Sequence, residues 1–244
     1  EKLIKIQKNN LNDFKNIFWI KNINKINQEP TIIIANEFFD AFPIKQFFNQ
    51  KNIWYEQCIA FKDNNKKKIT FYKNKINKNY VKKYSKFYNI NKNKFIEYPM
   101  NIDNYVNSIS KIIKKNNGIF LMFDYGYSSI LGKNTIKAIK KHKVVDLLKE
   151  YNDCDITFDI NFNILKKQFK KNNIQNIGIV PQNFFLQKMG IMERANQIVK
   201  KEDIFKVKNL ILSINKLLNP NEMGKAFKAL AFCKKNCKFK LGFI

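Results

Sequence analysis

The residues best suited to chemistry are acids that stand at the ends of two apolar runs. In TIIIANEFFDAFPIKQF (residues 31–47) a β-branched run gives way to Asn36 and Glu37. Asp40 follows two phenylalanines later, before Pro43 halts any helix that has begun. In GIFLMFDYGY (residues 118–127) a second apolar run closes on Asp124, Tyr125 and Gly126. If both runs are strands, and neighbours in a parallel sheet, the acids converge beyond the carboxyl ends of the strands, where open α/β sheets bind their ligands. A concave site holding carboxylates and an aromatic wall suits a cationic substrate. Arginine is the foremost candidate, because its planar guanidinium pairs bidentately with carboxylates. On the residues alone, Glu37 is as well explained by a cap bonding backbone amides as by a ligand contact, and Asp40 leans towards the structural role.

The elements that must position these groups follow from hydrophobic periodicity. Leu3, Ile4, Ile6 and Leu11 look like the middle of an amphipathic helix, so the sequence is expected to begin inside a larger protein. A short strand is expected at 16–20, and a strand buried on both faces at 31–35. Residues 44–48 and 53–61 alternate as antiparallel strands joined by a turn at 49–52, and 69–72 adds another after a solvated lysine tip at 66–68. A weak, basic surface helix fits 76–88, and an extended segment at 95–99 carries Glu97. The spacing of Ile102, Val106, Ile109, Ile112 and Ile113 predicts a helix ending before Gly118. Residues 135–145 read as one strand leaving a loop at 128–134, with His142 at its edge. Residues 155–161 read as a strand running into a helix capped by Asn161 and continuing through Phe169. A strand at 175–180 precedes three helices at 181–188, 192–200 and 203–217, and 226–232 is a closing strand. The last helix has the clearest amphipathic face, for which core packing is expected. These expectations describe one α/β domain with a β-rich insertion at about 44–97 and a helical insertion at about 181–218.

Composition narrows the function classes. A chain of 244 residues with 45% hydrophobic and 14% aromatic residues suits a folded protein with a sizeable core. No apolar run approaches the roughly 18 residues that span a bilayer, so no transmembrane segment is expected. Neither a signal peptide nor an Arg-rich transit segment opens the sequence. The net charge of +27 raises the question of nucleic acid. Its carriers are almost all lysine, with Arg194 the only arginine, and they are dispersed through the chain. Lysine is a flexible point charge rather than a bidentate reader, so solvated faces and non-specific polyanion binding at low salt are expected, with no specific nucleic acid. Cys58, Cys154, Cys233 and Cys237 match no zinc spacing and His142 is the only histidine, so no metal is expected and the compartment is a reducing one.

Further residues carry a family resemblance. ANEFFDAFPIKQF resembles the N-E-x-x-D-A-x-P signature of MidA-like proteins, the family that includes the mitochondrial complex I assembly methyltransferase. EYPMN (in place of E-x-S-P), GIFLMFDYGY, NTIKAIKKHK, DITFDINF, PQNFFLQKMGIMERA and NPNEMGKAFKALAF follow in the family's order over nearly the whole chain. The resemblance implies a Rossmann-like class I methyltransferase sheet and S-adenosyl-L-methionine as cofactor. It further implies a protein substrate, an arginine on a core subunit of respiratory complex I. By the same resemblance Glu37 orients the guanidinium with Asp124 as a second acid, Asn36 lies near the cofactor, and Asp40 and Tyr125 border the substrate. In two places the chain departs from the family. A Pro-Gly loop is replaced by Glu150-Tyr-Asn-Asp153, and the acid of a V-D-F triplet is Asn161 here. The family's glycine-rich loop and ribose-holding acid should precede Glu1, so the first half of the cofactor site is expected to be missing and the sheet truncated at its N-terminus. The expected location is the bacterial cytoplasm, with the mitochondrial matrix as the alternative. An assembly chaperone that has kept the shape and lost activity is the reading from a different class, a basic nucleic-acid binder ranks below it, and a homodimer is left open.

Overall fold

A computed structural model describes residues 2–62, 68–89, 94–129, 133–200, 203–238 and 240–244. The expected lysine tip at 66–67 and residues 130–132 of the expected loop lie outside them. The chain opens with α1 (Lys2–Asn10) and β1 (Ile32–Asn36), then β2 (Ile44–Gln50), β3 (Ile53–Phe61), β4 (Ile69–Ile76), α2 (Lys78–Tyr84) and β5 (Phe95–Pro99). α3 (Ile102–Asn116) leads to β6 (Ile119–Tyr127), β7 (Lys137–Lys140), β8 (Lys143–Val145), α4 (Leu147–Glu150), β9 (Asp155–Thr157) and β10 (Ile160–Asn161). The remainder is α5 (Phe162–Lys171), β11 (Ile174–Pro181), α6 (Gln182–Lys188), α7 (Ile191–Val199), α8 (Ile204–Leu218), α9 (Met223–Ala226) and β12 (Phe227–Lys234).

The main sheet has the order β1-β6-β12-β11. β1 and β6 are parallel, in a register from Ile32↔Ile119 to Asn36↔Phe123. β12 is antiparallel to both β6 and β11, so β1, β6 and β11 point one way and β12 alone is reversed. A parallel neighbour needs a crossover. Here it is made by the second sheet and by α3, whose Ile102, Val106, Ile109, Ile112 and Ile113 are buried. α5 covers the sheet beside α3. Its Asn161 side chain caps the helix by accepting the Ile164 amide at 3.2 Å. Phe120, Phe169 and Phe232 stack at the centre, the last two with ring centroids 4.1 Å apart. β10 adds a short parallel pairing at Gly126 and Tyr127, and only glycine permits it: a Cβ at Gly126 would stand 2.1 Å from the Ile160 carbonyl oxygen.

Residues 44–99 hold a four-stranded antiparallel sheet, β4-β3-β2-β5, over a small core of Phe47, Trp54, Val81 and Ile96. Lys51 and Asn52, with φ of 48° and 64°, make the two-residue turn that a twisted hairpin prefers. A third sheet, β8-β7-β9, corrects the expected single strand at 135–145. The chain reverses at Lys141 and His142, both with positive φ, and forms a hairpin.

Three more expectations are corrected. Residues 16–20 are irregular and Phe18 is largely exposed, with no strand beside them to pair with among the described residues. β1 is an edge strand, so Ile32 and Ile34 are exposed on one face rather than buried on both. α8 has no fully buried residue, and Ile204, Phe205, Ile211 and Leu212 face outwards. Among the described residues no helix is long and apolar enough to cross a membrane.

Candidate functional site

The site grows from the carboxyl ends of β1 and β6. The Glu37 amide donates to the Phe123 carbonyl at 2.9 Å, extending the ladder one residue past Asn36. There the chain turns away with Glu37 at φ 47°, in the left-handed region that disfavours any side chain with a Cβ. The Glu37 side chain is exposed. So is that of Asn36, whose Nδ2 donates to Glu37 Oε1 at 3.3 Å. The turn is anchored from below. Phe39 is fully buried against Phe120, and Phe38 and Phe42 close edge-on around it with Tyr105.

Beneath the turn lies a polar latch. The Phe39 amide donates to Asp124 Oδ2 at 3.2 Å and the Tyr125 amide to Asp124 Oδ1 at 3.0 Å. Asp40 Oδ2 accepts from the Tyr125 hydroxyl at 2.6 Å and from Thr157 Oγ1 at 2.8 Å, and the two hydroxyls touch each other. The Phe158 amide donates to the Asp40 carbonyl. Asp40 Oδ1 is buried with no hydrogen-bond partner. Burial, and then the neighbouring Asp40 charge, push the Asp124 carboxyl up to about 7, against the pull of the backbone amides bonded to it. Burial and the bond to Asp40 raise the Tyr125 phenol well above its usual range.

The structure therefore joins Asp40, Asp124 and Tyr125 to one another and leaves Asn36 and Glu37 on the open rim beside them. Asp124, expected as a second acid beside Glu37, has no exposed surface in this structure, and its oxygens accept from the Phe39 and Tyr125 amides. Asp40, 5% exposed, accepts from the Tyr125 hydroxyl, and in this structure both residues hold the turn. Thr157 escaped sequence reasoning. It lies in DITFDINF, one of the stretches that carry the resemblance, but was given no role, since the acid it bonds is 117 positions away. Glu97 serves a second latch. Burial raises its carboxyl above the usual range, and it accepts from Gln46 Nε2 at 2.7 Å, the Thr135 amide at 2.9 Å and the Thr135 hydroxyl at 2.6 Å. Among the described residues no group of three ligand side chains could hold a metal ion.

Comparison with known proteins follows the same outline. Residues 1–180 match the family described as S-adenosyl-L-methionine-dependent methyltransferase. The chain is 31% identical over 240 residues to the mitochondrial protein arginine methyltransferase NDUFAF7 homolog of Caenorhabditis elegans, covering 97% of this chain and 55% of that protein. It is 26% identical over 212 residues to the mitochondrial protein arginine methyltransferase NDUFAF7 of Danio rerio, covering 87% and 49%. The chain thus spans about half the length of the curated relatives it matches. A COG1565 superfamily protein from Burkholderia thailandensis, bound to S-adenosyl-homocysteine, superposes with a TM-score of 0.77 at 17% identity, covering 96% of this chain and 62% of that one. A second crystal structure from that organism gives 0.79 at 18% identity, covering 99% and 66%. The fold is that of a class I methyltransferase. Asn36 and Glu37, both exposed, stand at the carboxyl end of a parallel strand pair, where open α/β sheets bind their ligands.

Proposed function

Because the chain belongs to the S-adenosyl-L-methionine-dependent methyltransferase family, we propose that the protein methylates an arginine side chain of a protein substrate. The observation that carries this reading is Glu37, an exposed carboxylate at the carboxyl end of β1, held at φ 47° where a glycine would sit without strain. The cofactor, when bound, supplies an electrophilic methyl group. Glu37 pairs with the guanidinium and localises its charge, leaving one nitrogen free to face that methyl group. Asn36 donates to Glu37 Oε1 and steadies the carboxylate from the cofactor side. Asp40, Asp124, Tyr125 and Thr157 act through the backbone, fixing the turn that presents Glu37.

Support for arginine comes from the similarity to protein arginine methyltransferases and from the match between a planar cation and a rim carboxylate. Support for a core subunit of respiratory complex I as target comes from the sequence resemblance to the complex I assembly methyltransferases. On that reading the site of action is the bacterial cytoplasm, or alternatively the mitochondrial matrix. The test is Glu37→Gln in the full-length protein, with methylation of an arginine peptide from the partner subunit as readout. Turnover should fall at least a hundredfold with the cofactor still bound, and undiminished turnover removes Glu37 from the mechanism.

A further inference from the structure

A groove of about 830 Å³ runs along the outer face of α5, separate from the latch and the rim. Asn163, Lys166, Lys167 and Lys170 fall at i, i+3, i+4 and i+7 of that helix and form one wall. Phe87, Tyr88 and Phe95 form the facing wall, and Lys167 Nζ ties the two together by donating to the Phe87 carbonyl at 3.2 Å. Lys133 and Lys235 add cations to the lining. The one carboxylate lining it, Glu97, is committed to Gln46 and Thr135, and among the described residues no carboxylate pairs with the groove lysines. Beside the C-terminal end of α5, Lys86 in contact with Lys171 holds that ammonium below the usual lysine range, a second concentration of positive charge. The groove includes Tyr127 and Asn161, two residues past Tyr125 on β6 and its partner on β10, so it opens next to the carboxyl end of β6.

We propose that this groove docks an acidic, apolar-anchored segment of the protein substrate and so selects which arginine reaches Glu37. The identification with substrate rests on the arginine-methyltransferase reading. The docking chemistry does not. A chain of net charge +27 repels a cationic target residue at long range, so a segment that docks on it is favoured by carboxylates of its own. The ten residues of α5 span about 15 Å at 1.5 Å per residue. An extended peptide covers that with about four or five residues, at roughly 3.3 Å each. Alternate side chains of such a peptide would meet the lysine wall and the aromatic wall.

The test is fluorescence anisotropy of the full-length protein at physiological salt, without cofactor. The probe is a fluorescein-labelled decapeptide of alternating glutamate and leucine. Its controls are the lysine–leucine counterpart and a ten-nucleotide oligothymidine. The variant Lys166→Glu/Lys167→Glu/Lys170→Glu should weaken binding of the acidic peptide tenfold or more. The charge-matched variant Lys62→Glu/Lys82→Glu/Lys111→Glu, on exposed positions elsewhere, should change it less than twofold. Should the triple reversal fail to fold, Lys166→Gln/Lys170→Gln is expected to lose at least threefold. Equal losses in the groove and control variants, no binding of the acidic peptide, or tighter binding of the oligonucleotide would overturn the proposal. Binding is read without turnover, so groove-dependent binding that survives alongside failed methylation supports docking and counts against the catalytic reading alone.

Discussion

The ends of β1 and β6 share a sequence pattern, an apolar strand closing on an acid, yet the acids meet opposite fates. Glu37 is exposed and strained, whereas Asp124, at the matching register position of the neighbouring strand, has no exposed surface and is bonded to backbone amides. The difference lies in the strands. β6 is flanked on both sides, by β1 and β12, while β1 pairs only with β6 among the described residues. In this chain the acid that ends the strand flanked on both sides is folded into the interior and acts as a fastener, and the acid that ends the strand flanked on one side has an exposed carboxylate. The contrast extends down the strands, since Met122 is fully buried and Ile34 on β1 is two-thirds exposed.

The largest expected effect sets these two strands against each other in the 244-residue chain. Met122→Ala should cost about 2–5 kcal/mol in urea denaturation, as large-to-small changes in packed cores do. Ile34→Ala should cost less than about 1 kcal/mol, its side chain having little burial to lose. Comparable losses would mean that β1 is not an edge.

Glu37→Gly sharpens the functional side. Glycine takes φ 47° freely, so unfolding stability should stay within about 1 kcal/mol of the parent. Methyl transfer by the full-length protein should meanwhile fall a hundredfold, or about 2.7 kcal/mol. A parallel loss of both would make Glu37 a structural residue like Asp124.

Asp124→Asn should show the reverse. An amide group faces either the Phe39 or the Tyr125 N–H and leaves it unbonded in the interior, at a cost of about 1–3 kcal/mol. The pH dependence has a definite sign. The folded-state value, about 7, lies above the unfolded one, so the protonated acid is favoured in the fold. Its contribution is complete below about pH 4 and is lost as pH rises through 7. Denaturation midpoints of the parent from pH 4 to 8 should carry this decline, and those of Asp124→Asn should lack it.

Smallest is the effect of Tyr125→Phe, which removes the bond to Asp40 and should cost about 1–2 kcal/mol, with turnover changed only as far as the turn loosens. A Glu37-sized loss of activity without loss of stability would place Tyr125 against the substrate after all.

Much of this frame could be read without coordinates. The alternation in 44–61, the isoleucine spacing of α3 and the Asn161 cap are local features, governed by neighbours within a few residues, and they appear as expected. Two of the misreadings share one cause. Periodicity reveals that a helix or strand has an apolar side but not whether anything covers it, which is why α8 and β1 were expected to be buried. The reversal at Lys141 and His142 was missed because it carries neither glycine nor asparagine, the residues that most clearly mark a two-residue turn at positive φ.

Most strands and helices, the two acid-tipped strand ends and the family resemblance were legible in the chain alone, because propensity, spacing and motif order are written along it. Only the tertiary structure decided which acid faces outwards. Asp124 is enclosed because β6 is flanked on both sides, and Asp40 because Thr157 arrives from 117 residues away to bond it. Burial, and with it the charge state of a carboxyl group, is set by neighbours in space.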